Sequence, residues 1–285
     1  MYEKSVTRSD PACFVVLLDR SHSMSGPWRG TGSTLADGAA RAVNKILLDL
    51  AIKSTKEQGG SMRHYFDVGV FGYGVRPIAS GEGVESALGG ALKGKAIVPL
   101  PELANNPIAV RQDPSIDQVS VTARVPIWVE SAHGYRTPMC EAIAVAGEHV
   151  FDWAGAHPNS FPPIILNITD GLVTDSPYKD MELSEWANRL TAIETNDGPA
   201  LLLNIFLSAN PADGVLFPAS GHGLPDPGPE LFSISSPLPA PMIANARASQ
   251  MPVEPGARGL GFNADLAMLV QFLEIGTRVA EIQDR

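Results

Sequence analysis

Asp19, Ser21 and Ser23 stand at alternate positions in "DRSHS" (19–23), directly after the apolar run "FVVLL" (14–18). A carboxylate at the end of a buried-looking strand is costly unless something pairs with it. The pattern allows three kinds of chemistry. The side chains can bond to the local backbone as a turn. They can supply a nucleophile. They can gather as oxygen donors round a hard cation. Two more oxygen carriers occupy comparable places: Asp170 follows "IILNIT" (164–169), and Thr137 stands in "GYRTP" (134–138) ahead of a helical pattern. Each also has a plain structural reading. Thr-Pro is an ordinary helix start, Asp-Gly is a common turn pair, and the two serines can close turn hydrogen bonds. Asp175 and Ser176, in "GLVTDSP" (171–177), read as cap or turn residues. His149 and His157 are too far apart for a helical metal pair, and the carboxylates of "EHVFDW" (148–153) suit a solvated helix face.

These residues need elements to position them. Four apolar runs read as strands buried on both faces: 12–19, 64–74, 163–170 and 200–208. Near-continuous hydrophobicity is expected of a parallel sheet covered by helices. Between the runs lie helical patterns. Leu35, Ala39, Val43, Ile46, Leu47, Leu50 and Ala51 fall on one face of 34–57, ahead of Gly59-Gly60. Pro138 opens a second helix to about Ala154, a third spans roughly 183–195, and a last one covers 264–282. The alternation predicts an α/β fold: a doubly wound, mostly parallel sheet with helices on both faces, in one domain over 1–285. In such a sheet ligands bind at the carboxyl ends of the strands. Asp19 and Asp170 fall at such ends, and Thr137 on a loop beside them.

Two segments break the rhythm. Residues 80–133 form a β-rich insertion in which "VSVTARVPIWVE" (119–130) alternates; it is expected to pair with "KAIVPL" (95–100). Because it ends just before Thr137, it is expected to wall one side of the site and to set partner specificity. Its removal should then leave metal affinity nearly intact. Residues 209–262 are rich in Pro and Gly and read as surface loops, with "LFSISS" (231–236) as a candidate edge strand.

"DRSHS" has the D-x-S-x-S pattern of von Willebrand factor A domains. "GYRTPMCEAI" (134–143) resembles that family's threonine loop with its helix, and "IILNITDG" (164–171) the strand that ends in its second aspartate. The three occur in the family's order, and the resemblance covers about 12–208. Within the family the chain is similar to the stand-alone bacterial TerY-like branch of tellurium-resistance and stress operons. The resemblance implies a metal-ion-dependent adhesion site holding Mg²⁺, or Mn²⁺ or Ca²⁺. Asp19, Ser21, Ser23, Thr137 and Asp170 would form it, with the aspartates acting mostly through bound waters. It implies a protein partner that presents an Asp or Glu. By analogy, a protein kinase or a PP2C-type phosphatase is a candidate. His22, Tyr135 and Arg136 would stand on the rim.

Bulk properties bound the reading and say little about the partner. Apolar content of 44% allows a real core, and 18% charged residues is too low for a disordered chain. The net charge is −10 and no Lys/Arg run exceeds two residues, which argues against nucleic acid or an anionic membrane as main partner. Cys13 and Cys140 show no zinc spacing and fit a reducing compartment. No apolar signal core or spanning segment is seen, so the reading is a soluble cytoplasmic protein. Two other function classes compete. A phosphotransferase with an aspartate after its first strand needs a second carboxylate two residues on, where this chain has Ser21. A serine hydrolase needs G-x-S-x-G with a placed histidine. A third reading is a structural subunit with a vestigial metal site, and the five intact positions argue against it.

Overall fold

The computed structural model describes residues 1–28, 32–55, 61–76, 83–112, 124–208, 214–264, 268 and 272. In chain order its elements are β1 (Ala12–Asp19), α1 (Leu35–Lys53), β2 (Phe66–Tyr73), β3 (Val84–Ser86), β4 (Ile97–Pro99), α2 (Leu100–Asn105), β5 (Ala109–Gln112), β6 (Arg124–Ile127), α3 (Met139–Ala156), β7 (Ile164–Thr169), α4 (Leu183–Thr191), β8 (Glu194–Thr195), β9 (Gly198–Pro199), β10 (Leu201–Leu207), β11 (Val215–Leu216), α5 (Gly228–Ile234), α6 (Ala240–Ala248) and β12 (Leu260–Ala264). The four apolar runs are β1, β2, β7 and β10. With β12 they form five parallel strands in the order β12-β10-β7-β1-β2. Antiparallel strands finish both edges: β11 on β12, and β3 and β4 one after the other along β2.

Every residue of β1 is buried because the pleat feeds two cores. Phe14, Val16 and Leu18 face the side covered by α1, α2 and α6. Cys13, Val15 and Leu17 face the side covered by α3, α4 and α5. Each such valine or leucine contributes ~1.5–3 kcal/mol by leaving water. The fold is therefore a doubly wound α/β sheet with helices on both faces.

Chain order fixes where a site can form. From β1 the chain crosses to β2 on one side; it later returns to β7 on the other side of β1. The boundary between β1 and β7 is thus the switch point, where loops leave the sheet in opposite directions and open a crevice. Asp19 and Asp170 stand at the carboxyl ends of these two neighbouring strands.

Several expectations change. β6 pairs with β5, not with 95–100, and β4 within that stretch pairs with β2. Only 124–127 of the alternating run forms a described strand; 113–123 lie outside the described residues. "LFSISS" is mostly helical, in α5, whose Pro229 and Glu230 occupy the first turn. α3 starts at Met139 with Pro138 as its N-cap, one residue later than expected. Of the helix expected over 264–282, Ala264 instead ends β12, Met268 and Phe272 are helical, and the rest lies outside the described residues. The insertion is also more than an appendage: Leu88, Leu92, Val98, Leu100, Leu103, Trp128 and Val129 all belong to the α1-side core.

Candidate metal centre

The first loop is shaped by its own aspartate. Asp19 is fully buried, and its Oδ1 accepts the Ser21 backbone N–H at 2.8 Å. This hook two residues onward turns the chain. The Arg20 N–H still donates to the Tyr73 carbonyl at 2.8 Å, so the turn starts from a strand that remains paired with β2. A short 3-10 turn over His22–Ser25 follows, anchored by the buried Met24. The second Asp19 oxygen accepts the Thr169 hydroxyl at 2.6 Å, which ties the ends of β1 and β7 together.

A chain of hydroxyls leads from there to the second aspartate. Ser23 Oγ donates to Asp170 Oδ1 at 2.8 Å. Its one proton is thereby used, so Ser21 Oγ is the donor across the 3.0 Å contact between the two serines. Thr137 arrives from a third direction. Its N–H donates to Thr174 Oγ1 at 2.9 Å, and its carbonyl accepts the Thr174 N–H at 3.1 Å, so the loops before α3 and after β7 are laced together. Gly171 locates the Thr137 hydroxyl. A Cβ at Gly171 would stand 3.0 Å from Thr137 Oγ1 and 3.4 Å from Ser23 Oγ. Both hydroxyls therefore converge on a cradle that only a glycine leaves open.

Thr137 is not the cap of α3. The first turn of that helix is satisfied by Asp175, whose carboxylate accepts the N–H groups of Cys140 at 3.1 Å and Glu141 at 2.9 Å. The capping reading of Asp175 thus holds, and the threonine hydroxyl is left for the cradle. The turn readings of Asp19 and of the serines hold as well, and the same bonds orient the oxygens.

The electrostatics point the same way. Burial pushes the Asp19 carboxyl up to about 7, and the nearby Asp170 charge adds to the rise; bonds from Thr169 and Ser21 oppose it. Burial also raises Asp170, against its bond from Ser23. Among the described residues no basic side chain lowers either carboxyl. Arg20, between two of the donors, turns away: it packs over Gly72 and donates to the Glu130 carbonyl at 3.0 Å. A buried and a half-buried carboxylate with three hydroxyls, and no neutralising base among the described residues, are a donor set suited to a hard divalent cation. Among the described residues no three His, Cys, Asp or Glu side chains gather as a metal site, so hydroxyls would have to complete the set.

The sequence-predicted rim residues also meet here. The His22 N–H donates to the Tyr135 carbonyl at 2.8 Å, and the Tyr135 N–H donates to the Gly74 carbonyl at 2.6 Å. His22, Tyr135 and Arg136 are exposed. Gly74 has φ +92°, and a Cβ there would stand 2.4 Å from the Arg136 carbonyl, so this approach requires glycine. Three features escaped the sequence reading. Thr169 was readable once Leu18 pairs with Ile168, because the next residues, Asp19 and Thr169, then stand side by side. Leu172 is exposed beside the cradle. Beneath the site runs a buried relay: Tyr73 OH to Asn167 Oδ1 (2.8 Å), Asn167 Nδ2 to Asn204 Oδ1 (3.0 Å), Asn204 Nδ2 to Ser235 Oγ (3.0 Å), and Ser235 Oγ to the Leu231 carbonyl (2.7 Å).

No family model and no curated protein matches the sequence. Solved structures do match. The pilus adhesin SpaC from Lactobacillus rhamnosus GG is similar over 97% of this chain, with a TM-score of 0.50 and 12% identity. The two share a fold. The match spans 31% of the adhesin, under a third of its length. The manganese-loaded TRAP protein of Plasmodium vivax aligns with 96% of this chain and 75% of its own, at a TM-score of 0.46 and 14% identity.

Proposed function

We propose that this chain is a non-catalytic protein-interaction module of the von Willebrand factor A type. A Mg²⁺ or Mn²⁺ ion in the cradle captures an Asp or Glu side chain of a protein partner. The carrying observation is the convergence of Asp19, Ser21, Ser23, Thr137 and Asp170 at the β1/β7 switch point, where one carboxylate is buried, the other half-buried, and no base among the described residues neutralises either. The three hydroxyls would hold the ion as neutral donors, and the two aspartates would supply charge, mainly through water. When bound, the ion offers an electron-poor position to an incoming carboxylate. The protein orients the donors through the Ser21 and Thr169 bonds to Asp19 and the Thr137–Thr174 lacing. Ser21 stands where a phosphotransferase needs its second carboxylate.

The proposed setting follows the TerY-like resemblance: a bacterial stress-response or tellurium-resistance system, with an operon-encoded protein kinase or PP2C-type phosphatase as partner. Cys13 and Cys140, both free and buried, fit a reducing cytoplasm. No helix among the described residues is long and apolar enough to cross a membrane.

Calorimetric titration of Mg²⁺ and Mn²⁺ into chelator-treated protein tests the reading. One-site binding is expected, lost in Asp19→Ala and weakened at least about tenfold in Thr137→Ala. Heats that saturate equally in wild type and both variants would place the metal elsewhere and remove the basis of the proposal.

A further inference from the structure

We propose that the surface round the cradle selects a partner segment in which an Asp or Glu stands beside a large apolar residue, with Leu172 and Tyr135 as the apolar anchors. The inference rests on the metal-dependent reading above and adds the partner's chemistry.

Seven large apolar or aromatic side chains are well exposed among the described residues. A single exposed leucine needs no explanation. Their placement does the work here. Met1 is the first residue, and Ile52, Val110, Phe151 and Val215 lie on four different elements, α1, β5, α3 and β11. Tyr135 and Leu172, 54% and 61% exposed, stand on the two loops that meet at the cradle. Leu172 follows Gly171, whose open Cβ position touches the Thr137 and Ser23 hydroxyls. Tyr135 stands two residues before Thr137 and is bonded to His22 inside the D-x-S-x-S loop. The Thr137–Thr174 bonds hold the two loops against each other. The next residue, Val173, packs into the core, so the backbone there turns Leu172 outward. The result is a polar centre with an apolar side chain on each flank, the layout of a recognition surface.

Charge selects the occupant. The chain carries −10 overall, yet among the described residues of the loop stretches 20–25, 131–137 and 171–174 the exposed basic or acidic side chains are His22, His133 and Arg136. An acidic group is favoured at this spot and repelled over most of the remaining surface. An extended protein segment with a leucine- or phenylalanine-sized neighbour next to its carboxylate satisfies both features. A nucleic-acid phosphate has no apolar neighbour to cover Leu172.

The test uses fluorescein-labelled pentapeptides: Gly-Leu-Asp-Leu-Gly, Gly-Gly-Asp-Gly-Gly, and the former with Asn for Asp. Fluorescence polarisation is read in Mn²⁺ and in chelator, on wild type, Leu172→Ser and Tyr135→Ser. The wild type is expected to bind the leucine-flanked aspartate peptide about tenfold tighter than the glycine-flanked one, the factor that covering one leucine supplies. Binding should require Mn²⁺ and the aspartate. In Leu172→Ser the preference should collapse towards unity while calorimetry shows metal binding retained; Tyr135→Ser should reduce it. Metal-dependent binding of both aspartate peptides with equal affinity, or a preference unchanged in Leu172→Ser, would overturn this inference and leave carboxylate capture standing. Failure of every aspartate peptide to bind in Mn²⁺ would overturn carboxylate capture, and this inference with it.

Discussion

Asp19 joins the fold to the chemistry, and its protonation shows how. The carboxyl, ordinarily near 3.8, is pushed up to about 7, chiefly by burial. Between those values the folded chain holds a proton that the unfolded chain has released. The stabilisation this gives is complete below the unfolded value and is lost as pH rises through the folded one. Asp170 and Asp175, also raised by burial, act in the same sense. A divalent cation in the cradle favours the ionised form and opposes the loss. With chelator present, wild type is therefore expected to lose stability between about pH 5 and pH 8 relative to Asp19→Asn. At about pH 8 the metal-free variant should melt roughly 3–6 °C higher than wild type. Added Mg²⁺ should raise the wild-type melting temperature more at about pH 8 than at pH 5, and leave Asp19→Asn unmoved. Scanning calorimetry of both proteins decides it. A metal-free variant less stable than wild type at about pH 8 would mean that Asp19 is ionised there without cost.

At the scale of elements the site is three loops brought together by two neighbouring strands and one helix, and the loop after β7 is the one whose glycine faces the hydroxyls. Gly171 leaves room for the Thr137 and Ser23 hydroxyls, and it has no positive φ that would strain a side chain. Gly171→Ala is thus expected to fold with little change in metal-free melting temperature, because the added methyl points into the cradle. It should weaken Mg²⁺ binding at least about tenfold by displacing two donors. Equal affinity in calorimetry would show that the cradle is not where the ion sits. The sequence made β1, β2, β7 and β10 legible because strands buried on both faces leave continuous apolar runs, and the five oxygen carriers stand out in it because they sit at strand ends and a loop beside them. Other elements were hidden for definite reasons. β3 is a three-residue edge strand whose pairing is decided by β2, and β4, inside the expected 95–100 segment, takes β2 as its neighbour in place of 119–130. The partner of 124–127 could not be read because alternation reports a face and says nothing about a neighbour. "LFSISS" was misread although Pro229 and Glu230 just before it carry a helix-start signal; Leu231 and Ile234, three apart, face the core together.

At the scale of the whole molecule, the segment that interrupts the parallel alternation is built into the core. Asn44, on α1, shows why. Its amide nitrogen donates to the Val129 carbonyl at 2.8 Å and to the Ala40 carbonyl at 2.9 Å. Its amide oxygen accepts the N–H groups of Trp128 at 2.8 Å and Val129 at 3.1 Å. All four hydrogen-bonding valences of a buried amide are thereby met, three of them by the insertion. Trp128 is itself buried, and its indole N–H donates to the Leu103 carbonyl at 2.6 Å. Seven residues on from Glu130, whose carbonyl holds Arg20, the same chain supplies Thr137. Removing 84–130 would expose the α1-side core and unpair the edge of β2, so the expectation of a clean deletion is replaced by one of misfolding. Asn44→Ala tests the coupling without removing the segment. It leaves two buried N–H groups and a carbonyl of the insertion unpaired, and should cost roughly 2–4 kcal/mol, read as a fall of about 4–12 °C in melting temperature. Because the insertion leads directly into the threonine loop, hydrogen exchange at Tyr135 and Thr137 should also rise in this variant. A deletion of 84–130 that melts like wild type, or an Asn44→Ala protein of undiminished stability, would show instead that the segment rides on the sheet without holding it.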